Sequence, residues 1–373
     1  MKLIGLVLAG GNNNKMLQLS AKRAIAAMPV GGAYRAIDFV LSSMSNSHIQ
    51  RVAVLTQYNS RSLNEHLSSS KWWDFGRKQG GLFVFTPTIT QENSFWYRGT
   101  ADSIAQNLDF LRKSHEPYVA IASGDGIYKL DFNKVLEYHI ETGADITIVG
   151  KRVGPGVDVS RFGSIETDKE NRVVNFVEKP IKNGSDLIST GIYIIRRRLL
   201  IDLIEQAASE DRYDFVSDIL IRYKEERKIY CYEMEGYWTS ISSADAYYNA
   251  NMDFLKPEVR DYFFKQYPDI YSKVDDLPPA KYNPGASVKN SLLASGCIIN
   301  GTIEDSVLFK KVFVGNNTTI RNCIVLNDSY IGDNVYLENC IVESRGTIAS
   351  GASYIGEPGH PKIVVEKSER YRI

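Results

Sequence analysis

Along the first 255 residues, short apolar runs alternate with amphipathic stretches. Ile4–Leu8, Arg51–Leu55, Tyr118–Ala122 and Ile146–Val149 lack the in–out alternation of a half-exposed strand. Such runs predict strands buried on both faces, as in a mostly parallel sheet. Between them, Ala101–Lys113 places Ile104, Leu108 and Leu111 at helical spacing with Phe110 alongside, predicting one helix packed on one side. Strand, helix and strand in succession imply right-handed crossovers and a layered α/β domain, whose ligands bind at the carboxyl ends of the strands.

The pattern changes after Phe254–Leu255. Residues 256–285 carry Pro257, Pro268, Pro278, Pro279 and Pro284 among scattered aromatics and read as an ordered linker. Beyond it the chain repeats itself. Val314–Val325 matches Ile331–Val342 at an offset of 17, position by position, including Cys323 and Cys340. Stepping back by 17 reaches Cys297, with Ile303, Val307 and Leu308 in the apolar slots; stepping forward reaches Ile348, Ala352 and Tyr354. Aliphatic residues near every sixth position, with Gly and Asn at corners, predict short strands wound around a triangular prism whose stack is buried only by neighbouring coils. The matched cysteines then belong to the interior and not to reactive chemistry. The division is therefore 1–255, a linker at 256–285, and a coil of strands over 286–373.

Composition narrows the partners. Hydrophobic residues at 43% and charged residues at 24% suit a globular chain. Lys plus Arg equals Asp plus Glu at 44 each, so no global field favours nucleic acid or anionic lipid, and any anionic ligand must be held locally. Four cysteines without a CxxC pair argue against a zinc site. Met1–Gly11 reads as a buried first strand running into a glycine loop rather than a signal peptide, and no other stretch is apolar for long enough to span a membrane. A cytoplasmic location is expected.

Four segments of the first domain could carry chemistry. Leu8-Ala9-Gly10-Gly11 follows a strand, where glycines let backbone N–H groups approach a phosphate; a glycine pair can also be a plain turn. Trp96-Tyr97-Arg98-Gly99-Thr100-Ala101 opens the predicted helix, with Thr100 as its N-cap and the helix start as an anion or base-edge site. Ser123-Gly124-Asp125 sets a carboxylate at a strand end, suited to Mg²⁺ or to capping a turn. Glu178-Lys179, followed by Ser189-Thr190-Gly191, offers groups for sugar hydroxyls and a phosphate, although for the charged pair alone an exposed salt bridge is the plainer reading.

In order and spacing these segments resemble the bacterial glucose-1-phosphate adenylyltransferases over nearly the whole chain. The likeness includes Tyr34–Phe39, Thr56-Gln57-Tyr58, Gly236-Tyr237-Trp238 and Ala250–Asp253. It implies a nucleotide-diphospho-sugar transferase domain, Rossmann-like with a mostly parallel sheet, and a C-terminal left-handed parallel β-helix. It also implies condensation of ATP with glucose 1-phosphate to ADP-glucose and pyrophosphate for glycogen synthesis. Leu8, Ala9, Gly10, Gly11, Gly99, Thr100 and Ala101 would meet the nucleotide; Glu178, Lys179, Ser189 and Gly191 the sugar phosphate; Asp125 the Mg²⁺; and Lys22, Arg23 and Arg35 a phosphorylated effector.

The chain departs from that pattern selectively. The family's loop reads close to GGxGxR, whereas here it is Gly10-Gly11-Asn12-Asn13-Asn14-Lys15, and Lys lacks the fork with which Arg grips phosphate. Ile25 stands where the family has a lysine, Gly126 where a histidine is common, and Ser240 where the second metal-binding aspartate belongs. A neutral hydroxyl is a poor ligand for Mg²⁺. Catalytic charges are lost while binding and effector positions stay. The expectation is a GlgD-type regulatory subunit that forms a hetero-oligomer, a tetramer by family likeness, with a catalytic homologue, and in which Lys15 and Asp125 remain of a degenerate site. An active sugar-1-phosphate nucleotidyltransferase, and a nucleotide or sugar-phosphate sensor with no transferase partner, stay open as alternatives.

Overall fold

The fold was read from a computed structural model, which describes residues 2–11, 14–76, 80–88, 96–154, 159–180 and 185–366. The chain divides into two compact units. The first holds residues 1–11, 40–60 and 67–238; the second holds 12–39, 61–66 and 239–373. By compactness two early segments join the C-terminal part, so these units interleave along the chain and differ from the sequential division at residue 255.

In the first unit nine strands form one sheet. They are β1 (Leu3–Leu8), β2 (Arg51–Leu55), β3 (Gly81–Phe85), β4 (Tyr118–Ser123), β5 (Ile146–Arg152), β6 (Gly163–Thr167), β7 (Val173–Glu178), β8 (Leu187–Arg196) and β9 (Ile229–Glu233). Their order is β7-β6-β8-β4-β1-β2-β3, with β5 joining β8 to β9. The four apolar runs appear where expected, and β1, β2, β3 and β4 are mutually parallel, as are β5 and β9. Long β8 runs antiparallel to both β4 and β5, which their apolar patterns did not reveal. Both faces are covered: Ile4, Leu55, Ile121 and Ile148 are buried among helix residues such as Leu203 and Ile204, and Val7 and Val54 are buried as well. The predicted helix over 101–113 is two: α1 (Thr100–Ala105) and α2 (Leu108–Arg112), broken where the Asn107 side chain donates to the Ser103 carbonyl at 2.8 Å.

In the second unit, three parallel five-stranded sheets form the sides of a left-handed β-helix. The 17-residue step holds in the later coils: Val314 pairs with Ile331 and then Ile348, and Ile303 with Ile320 and then Leu337. At the pairing of Ile298 with Phe313 the step is 15, so Cys297 does not stack under Val314 as the constant offset suggested. The corner after Val314 is longer by two residues, with Asn317 in the left-handed region at φ 54°. The β-helix also begins earlier than expected. Lys281–Tyr282 already pair with Ile298–Ile299, and the presumed linker folds Pro257–Phe264 into a helix. Cys323 and Cys340 are fully buried in the aliphatic stack, as the repeat implied. On one side even Val307, Ile324 and Ile341, which alternate with the stacked residues, are buried; Tyr248 donates to the Asn322 carbonyl there at 2.7 Å.

Candidate functional site

The first unit gathers three sequence-predicted segments at neighbouring strand ends. Leu8 pairs with Ser123, and the Gly124 amide donates to the Leu8 carbonyl at 2.9 Å, so the glycine loop and the Asp125 loop run side by side. Gly10 lies over Gln57, with 3.4 Å between its missing Cβ and the Gln57 Cβ. At Gly11 no described protein atom lies within 4 Å of the Cβ position, and the residue is exposed. No packing demand explains that glycine, and the space suits a ligand's phosphate approaching the backbone.

The third segment comes from β8. Between Ser189 and Ile192 the strand bulges, and Gly191 adopts φ 74°, which an L side chain resists. Its Cβ position is 3.3 Å from the Ser123 Cβ, so the bulge abuts the Asp125 loop. Thr190 Oγ1 donates to the Val149 carbonyl at 2.7 Å, and Ser189 Oγ lies 3.4 Å from Tyr193 Oη. Burial pushes the Tyr193 hydroxyl well above its ordinary range, so it stays a neutral donor. The Ser123 hydroxyl donates to Asp125 Oδ1, which orients that carboxylate.

Glu178 and Lys179 stand apart from these three, at the end of β7 with β6 between them and β8. They form the exposed pair foreseen as the plainer reading, Nζ to Oε1 at 3.2 Å. The Lys179 backbone is left-handed at φ 49°, its amide held by the Phe162 carbonyl. The Glu178 carboxylate reaches over Gly163, whose Cβ would lie 3.2 Å from Oε2.

The start of α1 corrects a prediction. Gly99, not Thr100, is the N-cap, and the amides of Ala101 and Asp102 both donate to the Tyr213 carbonyl, at 2.7 and 3.2 Å. Thr100 Oγ1 accepts from the Phe215 amide at 2.8 Å. Gly99 is required because a Cβ would fall 2.3 Å from the Tyr213 oxygen. These donors serve the chain itself and do not form an open anion site. A neighbouring feature went unpredicted: Gln57 Oε1 accepts from the Tyr97 amide at 2.6 Å, and Tyr58 stacks on Trp96.

Gly126 explains itself by packing too. A side chain there would meet the Tyr128 ring at 2.8 Å. Tyr128 is fully buried, its hydroxyl has no hydrogen-bond partner among the described residues, and burial, then the Asp125 charge, raises its pKa. As a metal centre the donor set fits poorly. Among the described residues, no group of three or more His, Cys, Asp or Glu side chains could hold a cation, and Asp125 supplies one carboxylate.

The remaining predicted residues belong to the second unit. Asn12 and Asn13 lie outside the described residues; Lys15 is exposed at the start of a 3₁₀ segment, Asn14–Ser20. Ile25 is buried, as is Ser240 at the end of a short strand. The effector candidates part company. Lys22 is exposed, while Arg23 is consumed by structure, its guanidinium 2.5 Å from buried Glu343 and bonded to Ser344. Arg35 lines a cleft of about 140 Å³ together with His66, Lys273, Asp275 and Lys310. Its Nη1 donates to the Ser62 carbonyl at 2.7 Å, and buried Asp38 takes the Arg35 amide and the His66 ring at 2.8 and 2.7 Å. Lys273 and Lys310 had no sequence signal, because one sits in the presumed linker and the other at a coil corner.

Comparison with known proteins agrees with this architecture. Residues 4–257 match the nucleotidyl transferase family, and residues 278–360 match the GlmU-like C-terminal hexapeptide family. The chain is 35% identical over 319 residues to a glucose-1-phosphate adenylyltransferase of Pseudothermotoga lettingae, covering 85% of this chain and 76% of that one. It is 38% identical to that of Geobacillus stearothermophilus, covering 84% and 82%, and 39% identical to that of Clostridium botulinum, covering 85% and 83%.

Proposed function

This chain belongs to the glucose-1-phosphate adenylyltransferase family, and we propose that within it the chain serves as a regulatory subunit with little or no catalysis of its own. One observation carries the reading. The positions where the family likeness implies a lysine and a second metal-binding aspartate hold Ile25 and Ser240, and both are buried. Among the described residues no group of three or more His, Cys, Asp or Glu side chains could hold a cation, and Asp125 is the one carboxylate left at the positions where the family likeness implies metal ligands, so no chemical step is assigned to a metal here. Phosphoryl transfer depends on positioned cations, and losing one electrostatic contact costs on the order of 10²–10³ in rate.

Binding is better supported than catalysis. The open backbone at Gly11 and the Ser189–Gly191 bulge beside Asp125 are suited to ATP and glucose 1-phosphate as ligands. The cleft around Arg35, Lys273 and Lys310 is suited to a phosphorylated effector. Lys22 and Arg23 fit that role less well, one being exposed elsewhere on its segment and the other already paired.

The test is direct. ADP-glucose formation is measured with this chain alone, a catalytic homologue alone, and the two together. The regulatory reading expects negligible turnover alone and a raised rate or altered effector response in the mixture. Robust turnover by the single chain would favour the second reading, an active sugar-1-phosphate nucleotidyltransferase, which the retained Asp125, Glu178, Lys179 and Ser189 support. No effect on the homologue would remove the regulatory role.

A further inference from the structure

The cleft in the second unit is cationic but not empty of negative charge. Arg35, Lys273 and Lys310 face it, and so do the carboxylates of Asp275 and Glu65. Asp275 is the one with a defined grip. Its Oδ2 is 2.8 Å from Lys310 Nζ, and the two side chains are 44% and 21% exposed. Burial works to raise the Asp275 carboxyl, yet the Lys310 hydrogen bond and the charges of Lys310, Lys273 and Arg35 together hold it below its ordinary value. Burial lowers the Arg35 guanidinium, and the charges of Asp38 and Asp275 offset part of that effect. All three cations of the cleft therefore interact with one carboxylate.

We propose that Asp275 is a resident counter-ion: it occupies Lys310 in place of an incoming phosphate, and a phosphorylated ligand binds this cleft by displacing it. The proposal rests on reading the cleft as an anion-binding pocket. An internal anion has a clear physical use there. Without it, the desolvated Arg35 and its two lysines would repel one another and attract any small anion. With it, the positive charge of the cleft is reduced and Lys310 is occupied until a ligand carries more charge, and more acceptor oxygens, than one carboxylate. The exchange trades one partly exposed ion pair for another, so its cost is modest, equivalent to a few-fold in affinity.

The experiment uses the full chain and inorganic phosphate as probe, titrated by calorimetry into wild type, Asp275→Asn, Lys310→Gln, the double variant and Arg35→Gln, with thermal melts confirming that each is folded. Asp275→Asn is expected to bind phosphate about three- to fivefold more tightly than wild type. On the Lys310→Gln background the same change should bring little gain, because no cation is released. Equal or weaker binding by Asp275→Asn, with binding still lost in Arg35→Gln, overturns the counter-ion while leaving the pocket standing. A gain that persists in full without Lys310 overturns it as well, since the effect is then one of general charge. If phosphate fails to bind wild type and Asp275→Asn alike, or binds both regardless of Arg35, the pocket reading falls and takes the proposal with it.

Discussion

In the α/β unit, the residues that the family likeness ties to substrate remain at strand ends with their groups partly exposed: Asp125 beside Ser123, Gly11 with open space over its Cα, Glu178 and Lys179 paired at the surface. In the β-helix unit, two positions that the family likeness ties to catalysis and one that it ties to an effector lie within the structure. Ile25 and Ser240 are buried, and Arg23 is locked to Glu343. A site that only binds can keep its shape with backbone and a few carboxylates. A site that moves charge also needs positioned cations, and at position 25, where the family likeness implies a lysine, this chain holds a buried isoleucine.

The sharpest way to break that contrast is at Arg23. Truncating one partner of a buried pair leaves the other charge uncompensated, at a cost of about 3 kcal/mol. Arg23→Met should therefore lower stability by that order, while Lys22→Met, at an exposed neighbour, should change it by less than about 0.5 kcal/mol. Denaturant titration decides the matter. Equal small effects from both would mean that Arg23 is not structural and is available for a ligand after all. Adding Glu343→Gln to Arg23→Met should recover part of the loss.

Acid should separate the two units as well. His139 in the first unit is buried, its Nδ1 bonded to Thr147 at 2.8 Å and its Nε2 without a hydrogen-bond partner among the described residues. Burial, reinforced by the nearby charge of Arg196 and opposed by that of Asp145, lowers its pKa from 6.5 to about 4. The unfolded chain thus takes up the proton first. The stability tied to neutral His139 is present above pH 6.5 and is lost as pH falls towards 4, by up to roughly 3 kcal/mol. Hydrogen exchange at pH 5 should show the α/β unit loosening first, and His139→Leu should flatten its acid limb. An unchanged acid limb in that variant would discard the explanation.

Much of the scaffold was legible because its signals are local. Arg51–Leu55 was bounded correctly by its apolar run, and the coils from Ile303 onward by their spacing. What escaped depended on distant partners. Nothing within Ala101–Asp102 announces that its amides are claimed by Tyr213, more than a hundred residues away, nor that Gly99 is glycine for the same reason. The antiparallel course of β8 is invisible in a run that is apolar in either direction. A two-residue change in one corner was enough to misplace Cys297. Charged positions were legible as types but not as roles: Arg23 and Arg35 read alike in sequence, and only one of them lines a cleft.

The smallest expected effect bears most directly on function. Ser240→Asp returns a carboxylate to the position where the family likeness implies a metal ligand. If the chain is catalytically impaired through that loss, ADP-glucose formation in Mg²⁺ should rise, but by only about tenfold, less than the 10²–10³ linked to a single contact, because Ile25 still offers no cation and residues acting as a unit do not contribute additively. Burying a new carboxylate at a site this enclosed should also cost about 1–3 kcal/mol. That cost gives a second readout independent of rate. Mg²⁺ should raise the melting temperature of Ser240→Asp more than that of wild type, since a cation that binds only the folded variant stabilises it by mass action. A folded Ser240→Asp with neither the rate gain nor the Mg²⁺-dependent shift would mean that position 240 no longer faces a metal site in this chain. A wild type already as fast as its variant would mean that the contrast between the two units has nothing to do with catalysis.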